Sequence, residues 1–295
     1  MSNAREIQSR ISSVKDTMKI TNAMYMISSS KLKKARKNLE NTEPYFYALQ
    51  DAIVRVIKRI PEDIGLIYFD DKPEKNIRKK GYIVITGDKG LAGAYNHNVI
   101  KIIENELKTE GEHKVFAVGQ VGRSYFENKG IPYDADFKYT VQNPSMHRAR
   151  FISARIVQMF REQELDEVYV IYTRMINKME SQAEIKKVLP LTKEDFRDEN
   201  EVSETTDETS YLPTPYDVLN NIVPNYVTGF IYGTLIQAYS SEQNARMMAM
   251  QSATSNAKDM LKELSIIYNR VRQAAITQEI TEVISGSKAQ KRKKL

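Results

Sequence analysis

A glycine-rich turn, VITGDKGLAGAYN at residues 84–96, is the stretch of the chain best placed to do chemistry. It leaves a β-rich run and enters a helical pattern, and amides at a helix N-terminus bind phosphate well. Its glycines stand three residues apart, at Gly87, Gly90 and Gly93. This spacing matches neither the dinucleotide-binding nor the P-loop fingerprint. Asp88 and Lys89 could form an acid–base pair, but adjacent exposed charges are usually solvated. We therefore predict a tight, exposed loop, with a nucleotide-dependent α/β enzyme as the alternative.

The composition leaves little else for catalysis. The 295-residue chain has no cysteine, which excludes disulfides, thiolate metal ligands and cysteine nucleophiles. Its three histidines are too few and too scattered for a metal cluster. No Ser/His/Asp, HExxH or paired-carboxylate pattern occurs. We expect a protein with no catalytic residues, cofactor, metal or small-molecule substrate of its own.

The net charge and the hydropathy further limit the class of protein to which the chain can belong. The net charge of +6 is too modest to imply nucleic-acid binding. The N-terminus lacks the apolar stretch of a signal peptide. No window approaches the roughly 18 apolar residues that a membrane-spanning helix needs. These features predict a soluble, cytoplasmic protein.

The first 60 residues are predicted to be helical, with a break near Pro44, because proline lacks the amide hydrogen of an interior turn. Apolar or small side chains recur at alternating spacings of three and four residues, which predicts a coiled-coil seam. The seam comprises Ile7, Ile11, Val14, Met18, Thr21, Tyr25, Ser28, Leu32, Ala35 and Leu39. The basic run at residues 28–38 is most simply the solvated face of this helix. It could also serve as a rim for an acidic protein partner.

A second seam is predicted near the C-terminus, as the antiparallel partner of the first. It comprises Met250, Ala253, Ala257, Met260, Leu264, Ile267, Val271 and Ala274. Beyond it the seam positions turn polar, although one face of the helix still carries isoleucine and valine up to Ile284. We expect these last turns to lack a partner within the chain and to be enclosed by another protein. A frayed terminus is the alternative.

Between the helical segments, strand-like runs alternate with helical ones, which predicts a largely parallel sheet. The predicted fold is an α/β body, Rossmann-like, inserted between long N- and C-terminal helices that form an antiparallel coiled coil. The predicted segments are an N-terminal shaft helix (1–60), a linker (61–80), the body (81–193), an acidic flexible connection (194–211), a C-terminal shaft helix (212–286) and a basic disordered tail (287–295). A coiled-coil scaffold that binds nucleic acid or membrane through its basic helix is a further alternative. Salt-sensitive binding to polyanions would favour it.

Three blocks of the sequence resemble the gamma subunit of bacterial F-type ATP synthases. They are MKITNAMYMISSSKLKKA at 18–35, GDKGLAGAYN at 87–96 and RMMAMQSATSNAKDMLKELSIIYNRVRQAAITQEITEVISG at 246–286. The blocks occur in the family's order, at both ends and in the middle, so the resemblance covers essentially the whole chain. The third block is the most specific of the three.

The resemblance implies a central rotary shaft without catalytic residues. In that family the terminal helices form a coiled coil inside a ring of alternating alpha and beta subunits, and the longer C-terminal helix reaches an apolar bearing. The shaft would couple the proton- or sodium-driven rotation of a membrane c-ring to ATP synthesis or hydrolysis. Small, mildly polar side chains at the tip would tolerate many orientations, whereas large packed side chains would lock one.

The resemblance also implies the contact residues. Shaft-to-ring contacts would come from Met24, Lys31, Lys33, Lys34, Arg246, Gln273, Thr277 and Glu279. Among them, Arg246 and Gln273 would form a polar catch with beta-subunit loops, and the lysines would face an acidic lever of beta. The loop of Gly87, Asp88, Lys89, Gly90 and Gly93 would lie at the shoulder below the ring. The body would bind the epsilon subunit and the c-ring, at the cytoplasmic face of the bacterial membrane.

Overall fold

The computed structural model describes residues 2–61, 65–69, 78–177, 180–192, 196 and 210–292. Within these ranges the elements are α1 (Ser2–Glu40), α2 (Glu43–Ile57), β1 (Lys79–Ile85), α3 (Tyr95–Glu106), β2 (Glu112–Val118), α4 (Gln120–Lys129), α5 (Met146–Arg161), β3 (Glu167–Met175), β4 (Ser181–Leu189) and α6 (Pro215–Arg292). The chain divides into two compact units. We call Ser29–Arg246 the body unit, and Met1–Ser28 with Met247–Leu295 the helical unit.

The body unit contains a four-stranded sheet in the order β2-β1-β3-β4. β1 pairs in parallel with β2, where Lys79 lies opposite Glu112, and in parallel with β3. β4 pairs antiparallel with β3 and forms one edge of the sheet. The largely parallel sheet and its alternating edge strand are therefore confirmed.

Alternate residues of each strand pack on opposite faces of the sheet. On one face, Tyr82 and Val84 of β1 pack with Val99 of α3 and Phe126 of α4. On the other face, side chains of β1, β2 and β3 pack with α2, α5 and the first part of α6. Both faces are covered by helices, as expected for a parallel sheet, whose strands are apolar on both sides.

The body unit is larger than the segment 81–193 predicted from the sequence. Ile53 of α2 and Val223 of α6 are completely buried in its core. Leu66 and Phe69, within the predicted linker, are also buried there. The predicted acidic connection at 194–211 lies outside the described residues, apart from Phe196, Ser210 and Tyr211.

The break predicted near Pro44 is confirmed. α1 ends at Glu40, and α2 begins at Glu43 with the proline in its first turn, where no helical amide bond is needed. α6 continues to Arg292, beyond the end predicted at Gly286. The expectation of a disordered tail from residue 287 is therefore wrong as far as Arg292. Lys, Ala, Gln and Arg all favour helix, which explains the extension.

In the helical unit, α1 and α6 pair antiparallel, as predicted. The hydroxyl groups of Thr21 and Thr254 are hydrogen-bonded at 2.8 Å. Near the N-terminus of α1, the Tyr268 hydroxyl of α6 donates to the Gln8 side-chain oxygen of α1 at 3.4 Å. Every predicted seam position of α1 is buried or half-buried. The last of them, Leu32, Ala35 and Leu39, belong to the body unit.

The seam predicted for α6 is partly wrong. Met250, Ala257, Leu264 and Val271 are buried or half-buried, but Met260 and Ile267 are 42% and 46% exposed. The half-buried positions are instead Leu261, Tyr268 and Ala275, each one residue later than Met260, Ile267 and Ala274. Because apolar residues stand side by side at these positions, the sequence alone does not determine which of them lies in the heptad seam. The contacts of Thr254 and Tyr268 show which phase is adopted.

A candidate partner-binding loop on the body unit

The glycine-rich loop begins where β1 ends. Next to it, after the end of β2, the backbone permits only glycine at residue 119. The Thr86 hydroxyl donates to the Val118 carbonyl at 3.1 Å and accepts from the Gly122 amide at 2.9 Å. Gly119, between those two, has φ of +96°. A Cβ there would lie 2.1 Å from the Thr86 carbonyl oxygen. The close approach of the β1 and β2 ends therefore depends on this glycine.

Asp88 holds the loop to two other segments of the body unit. Its Oδ1 accepts a 3.0 Å hydrogen bond from the amide of Gln120, the first residue of α4. Its Oδ2 accepts from the amides of Val141 and Gln142, at 3.1 and 3.2 Å, and from the Thr140 hydroxyl. The carboxylate is thus engaged in structural hydrogen bonds, which leaves the acid–base pair with Lys89 without support.

The inner side of the loop is closed by α3 and α6. The Gly87 amide donates to the Asn96 side-chain oxygen at 2.7 Å. On the other side, the Glu242 carboxylate packs so closely that a Cβ on Gly87 would lie 3.1 Å from its Oε1. The Gly87 amide is therefore already paired with a side chain of the same chain.

A run of polar residues in α6 is buried beside this loop. The buried residues are Ser240, Ser241, Glu242, Gln243, Asn244 and Arg246. Ser241 donates to the Thr173 carbonyl of β3 at 2.9 Å. Nη2 of Arg246 donates to Oε1 of Glu242 at 2.6 Å and to the carbonyls of Lys89 and Gly90, each at 3.1 Å. This helical segment therefore ties the end of β3 to the loop that follows β1.

Burial dominates the electrostatics of this cluster. It raises the pKa of Glu242 above the usual value, while the nearby positive charges of Arg246 and Lys31 act to lower it. Burial, followed by the negative charge of Glu242, also raises the pKa of the Tyr95 hydroxyl. Tyr95 is thus neutral at physiological pH.

The arrangement argues against a phosphate ligand. In open α/β sheets, ligands bind outside the carboxyl ends of the strands where the strand order reverses, which here is between β1 and β3. That position holds the carboxylate of Glu242 and the side chain of Ser241. Because side chains of α6 already fill this position, the geometry disfavours the nucleotide-dependent alternative. Among the described residues, no group of three or more acidic or histidine side chains could hold a metal ion.

The predicted contact residues fall into different environments. Lys31, Lys33 and Lys34 on α1 are exposed, as are Lys89, Gly90 and Gly93 in the loop. In the helical unit Met24 is half-buried, whereas Gln273, Thr277 and Glu279 are exposed. Arg246, assigned by the resemblance to a polar catch with beta-subunit loops, is 8% exposed and donates to Glu242 and to the Lys89 carbonyl. The structure thereby joins Arg246 to the loop, a connection that the sequence analysis missed.

Three further residues of this region were also missed. The contacts described above are made by Glu242, Asn96 and Gly119, none of which was predicted from the sequence. Glu242 had a detectable signal, because it stands four residues before Arg246 and such pairs face each other on a helix. Asn96 and Gly119 act through tertiary contacts, which leave no mark in local spacing.

Comparison with known proteins identifies the family. A family model described as ATP synthase matches residues 3–289. The ATP synthase gamma chain of Ruminiclostridium cellulolyticum is 44% identical over 290 residues, covering 97% of this chain and 98% of that protein. The sodium-ion-specific ATP synthase gamma chain of Acetobacterium woodii is 37% identical over 302 residues, covering 97% and 98%.

Solved structures show the same fold. A chain of the Euglena gracilis mitochondrial ATP synthase, in a structure of its OSCP/F1/c-ring, matches with a TM-score of 0.65 and 16% identity, over 98% of this chain and 94% of that one. A chain of the Tetrahymena thermophila central stalk and c-ring matches with a TM-score of 0.57 and 21% identity, over 79% and 99%. At these identities the likeness concerns the fold.

A mostly parallel sheet between a long N-terminal and a long C-terminal helix is the fold that this chain shares with the matched chains of the ATP synthase structures. The extent and identity of the sequence matches specify the family: the chain belongs to the ATP synthase gamma chain family. The gamma chain is a non-catalytic subunit of ATP synthase, and the catalytic sites lie in the beta subunits. Within the described residues, no helix combines the length and the apolarity needed to cross a membrane.

Proposed function

We propose that this chain is the rotating shaft that links an ion-driven c-ring to the alpha–beta catalytic ring of an F-type ATP synthase. The observation that carries the proposal is the exposed end of α6, in a chain matched along its whole length by gamma chains. Every residue from Ile276 to Ser287 is exposed, whereas Ala275 is still half-buried. From Ile276 to Ser287 the helix is therefore exposed on all sides.

This exposed end is suited to enclosure by a partner. Ile280 follows Ile276 by four residues, and Val283 and Ile284 follow Ile280 by three and four, so these side chains share one face. Ile276, Ile280, Val283 and Ile284 are 43%, 54%, 72% and 51% exposed. A single helix end of this kind is only marginally stable in water. The residues between are small or polar, so a surrounding bearing would meet no large side chain that fixes one orientation.

The basic part of α1 supplies a second surface for the ring. Lys31, Lys33 and Lys34 are exposed on the body unit, where they can approach an acidic partner. We assign them, with Met24, to the surface that faces beta. On α6, the polar surface assigned to the ring consists of Gln273, Thr277 and Glu279. Arg246 acts through the loop that it holds.

Rotation would act through differences in contact energy. A shaft presents different side chains to each of the beta subunits around it, and it shifts each subunit's nucleotide affinity only by the difference in contact energy between that subunit's states. The structural relatives come from assemblies that contain F1 and c-ring components. By analogy, the sheet and its helices would bind epsilon and the c-ring, as a peripheral subunit at the cytoplasmic face of the membrane.

The proposal is tested by ATP hydrolysis with a purified alpha–beta ring from a closely related synthase. The full chain is compared with a chain truncated after Ala275 and with a control truncated after Ser287, which keeps the exposed apolar face. We expect the full chain and the control to bind the ring and stimulate hydrolysis, and the shorter chain to do both more weakly. Equal stimulation by all three chains would exclude the role assigned to the end of α6. A full chain that neither binds nor stimulates would contradict the shaft itself.

A further inference from the structure

The carboxylate of Glu242 is buried in the body unit, yet the contacts proposed for the shaft make no use of it. The residue is 3% exposed. Its Oε1 accepts the 2.6 Å hydrogen bond from Arg246, and its buried Oε2 has no hydrogen-bond partner among the described residues. Burying a carboxylate is costly unless it is paired. A single strong contact with Arg246 therefore accounts for its placement.

The same guanidinium group holds the exposed part of the loop. Lys89 and Gly90 are both exposed, and their carbonyl oxygens each accept a 3.1 Å hydrogen bond from Nη2 of Arg246. The next residue, Leu91, has φ of +62° and is 65% exposed. A left-handed conformation is unfavourable for leucine and persists only where the surrounding contacts impose it.

We propose that Glu242 is a positioning residue for the loop at residues 87–93: its carboxylate orients Arg246, which in turn fixes the carbonyls of Lys89 and Gly90. The proposal goes beyond the shaft function and does not depend on which partner the loop meets. It gives a structural role to the buried charge of Glu242, which packing alone does not require.

The physical reason lies in the flexibility of arginine. A free arginine side chain samples many rotamers, and holding it in one of them has an entropic cost. The helical spacing of four residues brings Glu242 and Arg246 together, and the charge-assisted bond selects the rotamer that reaches the loop. Hydrogen bonds to neutral carbonyls contribute less, because water competes for them. Loss of the carboxylate charge should therefore release the loop.

Charged and titratable groups face Glu242 from each element that packs against it. They are Arg246 and Tyr239 of α6, Asp88 of the loop, Tyr95 of α3 and Lys31 of α1. Burial outweighs the two positive charges, so the pKa of Glu242 lies above its usual value. As the pH falls, the contact should fail while exposed glutamates are still ionised.

Loop mobility can be measured directly because the chain has no cysteine. A Cβ at Gly90 would meet no atom within 4 Å, so a spin label at Gly90→Cys should be accommodated. We expect the mobile fraction of this label in the full chain to rise as the pH is lowered from above neutral toward the usual pKa of a glutamate. With Glu242→Gln added, it should already be about tenfold higher at the upper pH and should no longer change.

Two controls separate positioning from general loosening. A label at Asn98→Cys, exposed on α3, should keep its mobility in every variant. Glu263→Gln, an exposed position of α6, should leave the Gly90→Cys profile unchanged. A pH profile that survives Glu242→Gln would overturn the proposal, as would an equal rise at both label sites. Should Glu242→Gln fail to fold, Arg246→Lys keeps a positive charge, but its side chain is one atom shorter and its ammonium group falls short of the acceptors that Nη2 reaches. Raised mobility at Gly90→Cys then supports the proposal, and unchanged mobility overturns it.

Discussion

At the scale of single residues, the conformation of the loop region depends on contacts that no other residue type could make. Gly119 is the clearest case, because its φ of +96° and its approach to Thr86 are both closed to a side chain. Gly90 lies in the open, where a Cβ would meet nothing within 4 Å. Glycines in the same region therefore differ in function, and only the structure separates them.

Replacing Gly119 with alanine should destabilise the body unit strongly. The added Cβ would lie 2.1 Å from the Thr86 carbonyl oxygen, so the ends of β1 and β2 must move apart. We expect a loss of about 3 kcal/mol or more in the free energy of unfolding, measured by urea denaturation. Gly90→Ala is the matched control and should change it by less than about 0.5 kcal/mol. Similar values for the two variants would contradict this account of the loop.

Glu242 should give the chain a pH dependence of stability with a definite sign. Its folded-state pKa is raised above the usual 4.5, so the folded state binds the proton more tightly than the unfolded state does. Its contribution to stability is fully present below about pH 4.5 and is lost as the pH rises through the folded-state pKa. The stability of the native chain relative to Glu242→Gln should therefore fall with rising pH. Urea denaturation of both chains at several pH values measures this, and a rise or a constant difference would contradict it.

The sequence predicted the position of the loop, but not the residues that hold it. Gly87, Gly90 and Gly93 are visible as a cluster in the sequence, because turns need glycine. The partners of the loop lie far away in the chain, as the contact between Arg246 and Lys89 shows. Contacts between residues so distant are set by how the elements pack, which spacing along the chain does not encode.

At the scale of elements, periodicity predicted the strands and helices well. Apolar runs such as that of β3 identify strands buried on both faces, and the break at Pro44 follows from the chemistry of proline. The phase of the α6 seam was harder to predict. Neighbouring apolar pairs such as Met260 and Leu261 fit the heptad equally well, and the choice depends on the partner helix.

The corrected seam can be tested with these two neighbouring residues. Leu261 is half-buried in the helical unit, whereas Met260 is 42% exposed. Leu261→Ala should lower the stability of the helical unit by about 1–2 kcal/mol, and Met260→Ala by less than about 0.5 kcal/mol. Thermal unfolding followed by circular dichroism compares the two. The opposite ranking would restore the seam predicted from the sequence.

At the scale of the whole molecule, the family and the fold class were predictable, while the extent of the body unit was not. The resemblance rested on three blocks that span the chain, and a 44% identical relative covers nearly all of it. The body unit also contains α2 and much of α6, because their apolar faces complete its core. Helical periodicity shows that a helix has an apolar face, but it does not show which elements that face meets.

Rotation of the chain inside a catalytic ring tests the central claim most directly. A single cysteine at Asn98→Cys, exposed on α3, allows a probe to be attached to an otherwise cysteine-free chain. With the alpha–beta ring fixed to a surface and supplied with ATP, we expect the probe to turn stepwise in one direction. The rotation should stop when hydrolysis is inhibited. A ring that hydrolyses ATP with the chain bound, while the probe stays fixed, would contradict the account.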